Sequence, residues 1–469
     1  MSSEVKLDEF ARKTDDFLQW IKHRQGTMIS PKIKIADLRA EEQGRGAVAR
    51  EDIDMDENLF TINSASFLSV QNSDLYQMHK LQLQSLPPWI ALVLTLLYED
   101  GKGEASQWWP YLNILPTEFD TLIYWSSSEL SELQASAVVH KIDKDDAEEQ
   151  FLNRLLPFVK ANTSLFAMHV KTLEDANAKS FFLGICLRMA TLIHAYGFDL
   201  NPDEPSDEEF EEDDDVIIEP NVAMIPLADL LNADADQNNA HAVQNHDSIT
   251  MRAIKQIKAG DQIYNDFGEL PRSDLLRRYG YLSDRYQKWD VVEVTLDLIT
   301  KVCNEINPLD SVEREVRTSL AMKWDVLEDG YDLNRPQDNK DFEFPPDLIL
   351  LINLLLMDLT KLRTAVAVQD RPLDDHALPP LTTTYQVLEV IVAERLASYG
   401  TTIAEDVHLL GVSLSKRKRM AIEVRRGEKE ILAMAMSVLS AILSENAESQ
   451  SGHDESNAKK IKPLYPHAT

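Results

Sequence analysis

Between Glu4 and Arg24 the apolar residues Phe10, Phe17, Leu18 and Ile21 recur at the spacing of a helix with one buried stripe, and Gly26 stands where such a helix would be capped. The period then falls to two. Ile33 and Ile35 alternate with Lys32 and Lys34, and AVA at 47–49 and NLFTI at 58–62 complete three short predicted strands. From Leu81 to about Asp215 the pattern is mainly helical: Pro87 and Pro88 open one helix, and Phe181–Tyr196 forms another apolar stretch. Strand signals return over Ser248–Ile257 and Gln262–Tyr264, divided by the turn residues Gly260 and Asp261. Beyond about Arg285 the chain reads as helices, one with Ile431, Met434, Val438, Leu439 and Ile442 on a shared face. From Ser444 onward it is polar and patternless, as in a disordered tail with a small basic cluster at Lys459, Lys460 and Lys462. No internal repeat is visible.

Short strands flanking a long helical insertion, followed by helices alone, imply an α+β fold with a second, all-helical domain. The expected divisions are an N-terminal helix at 1–28, a strand-bearing domain at 29–284 with its insertion at about 81–215, a helical domain at 285–443, and a tail at 444–469.

Composition narrows the function. The chain has 469 residues, 44% of them apolar, and only two cysteines, Cys186 and Cys303, so neither a disulfide framework nor a thiolate zinc cluster is expected. The apolar runs Trp89–Tyr98 and Leu348–Met357 fall short of the ~20 residues that span a bilayer and read as buried helices, so no membrane partner is expected. The first residues, MSSEVKLDEFARK, have neither the apolar core nor the cleavage site of a leader, which points to the nucleus or cytoplasm. The formal charge of -32 argues against direct nucleic-acid binding and for a basic protein partner. Ten carboxylates crowd into Asp203–Asp215, a solvated loop or a source of steering for a Lys/Arg-rich substrate. The KRKR run at Lys416–Arg419 suits a nuclear import signal or a structural or substrate-facing role inside a helix.

Three motifs compete for the chemistry. GRGAVA, Gly44–Ala49, fits the dinucleotide pattern G-x-G-x-x-A, but no amphipathic helix follows to offer its N-terminal amides to a pyrophosphate, so a nicotinamide oxidoreductase ranks last. Asp234–Asn238 begins like a calcium loop, yet Asn239 replaces the required Gly and Asn245 the bidentate Glu. His241 and His246 fit no ligand spacing, so no metal is assigned. The informative pair is PLADLLNAD, Pro226–Asp234, with GDQIYNDFGELPRSDLLRRYGYL, Gly260–Leu282.

Together with Gly44–Gly46, SQWWPYLNILP at Ser106–Pro116 and KRMAIEVRRGEKEIL at Lys418–Leu432, that pair resembles the SET-domain protein lysine methyltransferases. The order of segments is similar to the Rubisco-type and fungal ribosomal-protein enzymes, which carry a helical insertion and a helical substrate-binding domain. The resemblance covers most of the chain and implies a SET domain with S-adenosyl-L-methionine as cofactor. Carried over, Gly44, Arg45 and Gly46 bind the cofactor through backbone, with Asn232 and Ala233. Tyr279 lines the junction of the cofactor and the lysine channel and is catalytic together with Phe267. Trp108, Tyr196 and Phe267 contact substrate. The implied substrate is a ribosomal or chromatin protein, and the alternative is a weak or inactive SET-fold protein that binds a basic partner.

Two positions depart from the family pattern: Ala233 replaces the histidine of an Asn-His pair, and Phe267 replaces a tyrosine. The implied reaction is an in-line displacement by a neutral amine. A free lysine has a pKa near ~10.4, so a narrow aromatic channel helps by disfavouring the ammonium and by facing the cationic sulfonium with rings. Phe267 keeps the ring and loses the hydroxyl, so Tyr279 is expected to take over part of the orienting role.

Overall fold

The computed structural model describes residues 3–166, 178–200, 221–337, 340–368 and 382–451. The acidic run Asp203–Asp215 and the cluster Lys459, Lys460 and Lys462 lie outside the described residues. The chain divides into two units, one of residues 1–125, 140–270 and 274–286, the other of 126–139, 271–273 and 287–469.

The first unit begins with α1 (Ser3–Lys22), whose stripe buries Phe17 and Ile21 completely. Its strands are β1 (Met28–Ile29), β2 (Ile33–Asp37), β3 (Arg45–Ala49), β4 (Asn58–Asn63), β5 (Gly197–Leu200), β6 (Asn221–Met224), β7 (Ala240–Asn245), β8 (Ser248–Ala253) and β9 (Gln262–Ile263). They form an antiparallel sheet in the order β1-β4-β8-β7, a three-stranded sheet β2-β3-β9, and the ladder β5-β6. In the three-stranded sheet Gly46 lies opposite Ala36, and Ala47 opposite Ile263.

Of the inserted helices, α2 (Pro88–Lys102) starts on Pro88, whose missing N–H costs nothing at a helix start. Every residue from Ile90 to Glu99 is buried. The Glu99 carboxylate is tolerated there because Ser73 and Ser106 donate to it at 2.8 and 2.6 Å and Lys102 pairs with it at 3.1 Å. The apolar α3 (Ala178–Tyr196) packs against α2, with half of its most apolar stretch buried. It is long and apolar enough to cross a membrane, by length and composition only.

Three differences from the sequence reading stand out here. The helical block ends early, because β5 pairs with β6 from Gly197 onward. The strand at Ser248 stops at Ala253 rather than Ile257, and β7, polar in sequence, pairs with it as a sheet edge. An edge strand with few inward apolar positions has little alternation to read.

The second unit is mainly helical, with α5 (Leu296–Ile306), α6 (Ser311–Lys323), α7 (Pro346–Leu356), α8 (Thr382–Ala397), α9 (Ile403–Leu410) and α10 (Lys416–Ser451) labelled after α4 (Arg272–Tyr279). It is not all helix: β10 (Val291–Thr295) and β11 (Gly330–Asn334) pair antiparallel, and Val292, Val294 and Leu333 are fully buried. The β-branched run VVEVT is the signal the helical reading passed over. Helix α10 runs to Ser451, beyond the expected start of the tail, and buries Ile431, Leu432, Ala435 and Leu439 while Met434 is exposed.

The charges of α10 do much of the unit's polar pairing. Asp406, fully buried, accepts from Arg425 Nη2 at 2.7 Å and also from the Lys429 ammonium. Glu428 accepts from Ser136 at 2.6 Å and from Tyr399 at 2.7 Å. In the KRKR run Arg417 pairs with Glu129 at 3.2 Å, Lys418 with Glu132 at 2.6 Å, and Arg419 donates to the Leu410 carbonyl at 3.2 Å. These partners explain why residues 126–139 fold with the second unit.

Candidate active site

The expected cofactor turn sits between β2 and β3, where the Leu38 N–H donates to the Gly44 carbonyl at 2.7 Å. The next residue, Arg45, turns its side chain away into the fold. It donates to Thr14 Oγ1 at 2.9 Å and to the Ile114 carbonyl at 3.0 Å, and stacks over Phe10 at 3.9 Å. Burial pushes its pKa down to about 10. The side chain is therefore structural, and only its backbone faces the Asn232 segment: Asn232 Nδ2 donates to the Arg45 carbonyl at 3.3 Å.

Gly46 leaves room for this approach. A Cβ there would lie 2.5 Å from Leu38 Cδ1, 2.8 Å from Asn232 Nδ2 and 2.9 Å from Gln262 Nε2. Gln262 Nε2 is itself buried with no hydrogen-bond partner. A glycine cradle with two amide side chains converging on it, one an unpaired donor, fits the polar groups of S-adenosylmethionine.

The Asn232 segment is held by a second crossing. Asn265 N–H donates to the Asn232 carbonyl at 2.9 Å, Asp234 N–H donates to the Asn265 carbonyl at 3.2 Å, and Ala233 bridges Asn265 in parallel. Ala233 therefore contributes backbone to this crossing and has no imidazole to add. Asp234 also pairs with Arg285 and caps the turn after it, accepting from the Asp236 and Gln237 amides at 3.0 and 2.9 Å. The calcium-like run is thus a capped turn, and no group of three or more His, Cys, Asp or Glu is placed to hold a metal among the described residues.

Beyond Asn265 the chain reaches Phe267, and α4 ends at Tyr279. The two rings stack, centroids 4.3 Å apart and planes 8° from parallel, with Tyr281 6.4 Å from Tyr279. Gly280, at φ +75°, makes the turn between the tyrosines: a Cβ would meet Thr121 N at 2.7 Å and the Asp120 carbonyl carbon at 2.9 Å. Burial raises the pKa of Tyr279 and of Tyr281, keeping both phenols protonated at neutral pH.

One sequence candidate is placed differently, and a second meets a buried carboxyl. Trp108 is fully buried, its indole N–H donating to the Ser66 carbonyl at 3.1 Å, so it is a core residue with no surface for a substrate. Tyr196 ends α3 near a buried carboxyl the sequence reading passed over, Asp229 of PLADLLNAD. Burial and Asp229 push the Tyr196 pKa up to about 12. Tyr111 of the WWPY run donates to Asp229 Oδ2 at 2.5 Å, while Oδ1 is buried without a partner. Burial pushes the Asp229 pKa up to about 7. The only sequence signal for this pair was that both residues lay inside the quoted segments.

Residues 44–268 match the family model for the SET domain, and residues 316–432 the model for Rubisco LSMT substrate-binding. The chain is 32% identical to ribosomal lysine N-methyltransferase 4 of Saccharomyces cerevisiae over 371 residues, covering 74% of this chain and 72% of that one. It is 28% identical to the N-lysine methyltransferase SETD6 of Homo sapiens, with 89% of each covered. In structure it is similar to Rubisco LSMT bound to AdoMet, at TM-score 0.66, and to Rubisco LSMT bound to sinefungin and monomethyllysine, at TM-score 0.69. Both are 20% identical, with 93% of each chain covered. The GRG turn, the crossing at Asn232 and the stacked aromatics thus sit in a fold shared with those proteins, and the chain belongs to the SET-domain protein lysine methyltransferases of the branch with a Rubisco-LSMT-type substrate-binding domain.

Proposed function

We propose that this chain methylates a lysine of a ribosomal protein, using S-adenosylmethionine bound by Gly44, Arg45 and Gly46 through backbone and by Asn232, Ala233 and the unpaired Nε2 of Gln262. The observation that carries this is the joining of the Gly46 cradle and the Asn232 crossing, through Asn265, to the stacked Phe267–Tyr279 pair. The bound cofactor supplies an electrophilic methyl. The chain's own part is to strip water from the amine, which lowers the cost of its neutral form, and to hold it in line against the aromatic pair.

A ribosomal substrate is supported by the yeast relative's name and by charge: a chain of net -32 attracts basic proteins, and proteins that bind ribosomal RNA are basic. A chromatin protein is the second substrate class of that charge. The same charge speaks against direct contact with nucleic acid. Cytoplasm or nucleus are both compatible with such a substrate. Arg417, Lys418 and Arg419 of the KRKR run are engaged within the second unit, which supports a structural role for that run over an import signal.

The test is incubation of the protein with tritiated S-adenosylmethionine and either ribosomal proteins or histones. Label on a ribosomal-protein lysine is expected; label on histones alone overturns the substrate assignment, and no cofactor binding by calorimetry overturns the activity.

A further inference from the structure

The substitution at position 267 leaves the aromatic pair one hydroxyl short, and another tyrosine nearby has a hydroxyl with nothing to bind. Tyr286 is 1% exposed, and its hydroxyl oxygen is buried without a hydrogen-bond partner. Such an arrangement is costly, and a folded chain keeps it where a ligand or water completes it. The segment carrying Tyr286 is anchored to the site itself: the neighbouring Arg285 pairs with Asp234, two residues from Asn232, and the Tyr286 N–H donates to the Ser283 carbonyl at 3.1 Å. Asp266, which precedes Phe267, and Asp234, Tyr279 and Asp236 act on the phenol electrostatically. Burial first, and these groups after it, raise the Tyr286 pKa, so it is a neutral hydroxyl at physiological pH.

We propose that Tyr286 is a positioning residue for methyl transfer, its hydroxyl supplying, through one bound water, the hydrogen bond to the substrate amine that Phe267 cannot make. This rests on the methyltransferase reading above. A neutral phenol suits the task, because it accepts from the water without adding a charge that would favour the unreactive ammonium. Tyr279 keeps its own hydroxyl on the stacked wall, and Tyr286 adds the one that position 267 lacks.

The experiment compares wild type, Tyr286→Phe and the double variant Tyr286→Phe/Phe267→Tyr, with tritiated S-adenosylmethionine and total ribosomal protein as acceptor. Tyr286→Phe removes only an unpaired hydroxyl, so thermal stability and cofactor affinity should stay as in wild type. Turnover should fall about tenfold or more at unchanged KM. The double variant should recover most of the rate, because Phe267→Tyr restores a hydroxyl on the stacked ring. Turnover of Tyr286→Phe within twofold of wild type overturns the proposal, as does a loss matched by falling melting temperature or weaker cofactor binding, which marks a structural tyrosine. Inactivity of the wild type itself sinks the methyltransferase reading and this inference together; an active wild type with an unaffected Tyr286→Phe sinks this one alone.

Discussion

Phe267 and Tyr279 reach each other from different parts of the chain, one just after the β9 strand and one at the end of α4, and stack at 4.3 Å. The pair forms a flat wall on which only Tyr279 carries a hydroxyl. Tyr279→Phe keeps the stack and removes that group, so the protein should fold and bind cofactor as before. Turnover should drop by up to about 100-fold, the scale for losing one oriented hydrogen-bonding group at a reacting centre. Steady-state methylation measures this, and an unchanged rate would show that the wall alone suffices.

Gly46→Ala should separate binding from folding. The added methyl meets only side-chain ends, of Leu38, Asn232 and Gln262, so the core can adjust at a cost of about 1–3 kcal/mol. It does so by moving Asn232 off the Arg45 carbonyl. Calorimetry should show S-adenosylmethionine binding weakened by at least about tenfold, with the fold retained by circular dichroism.

Glu428 makes the second unit sensitive to pH. Burial pushes its carboxyl up to about 7 from an ordinary value near 4.5, against the opposing pull of the hydrogen bonds from Ser136 and Tyr399. A raised carboxyl binds its proton more tightly in the folded state. Its stabilisation is therefore complete below the unfolded pKa and fades as pH rises through 7. Urea unfolding of wild type should lose up to about 3 kcal/mol between pH 4.5 and 7.5 through this group, and Glu428→Gln should flatten that slope.

Asp406 has the opposite sign. Burial alone would raise its pKa, but hydrogen bonds from Arg425 and Lys429 outweigh that and hold it below the usual carboxylate range. Its contribution is present above the unfolded pKa and is lost as pH falls through the folded one. Asp406→Ala leaves buried Lys429 without its carboxylate and Arg425 with Glu132 alone, and a loss of about 3–5 kcal/mol is expected by denaturant titration. Asp406→Asn should fall in between.

Helix α1 acts at a distance from the chemistry. Phe10 is covered by Arg39 at 3.8 Å and by Arg45 at 3.9 Å, one before and one after the Gly44 turn. Phe10→Ala should loosen that turn, weakening cofactor binding several-fold while leaving turnover at saturating cofactor near wild type. Binding and rate measured on the same preparation separate the two.

The local periods of this sequence determined a good deal by themselves. The stripe of α1, the alternation of β2 and the short apolar runs of β3 and β4, the burial of α2 and α3, and the turn at Gly260 all follow from side chains within a few residues of one another. The ordered motifs likewise carried the family, because Asn232, Tyr279 and the GRG turn are recognisable as residue types at set positions. Tertiary structure decided the rest. Trp108 looked like a pocket residue until Ser66 claimed its indole, and Asp229 was one carboxylate among many until Tyr111 met it. In the second unit the β10–β11 pair depends on residues nearly forty positions apart, and the KRKR cations depend on Glu129 and Glu132, almost three hundred positions away. The reason is physical: a period reports which face of one element is buried, whereas the partner of a buried polar group is set by which distant elements pack against it, and no local pattern encodes that distance.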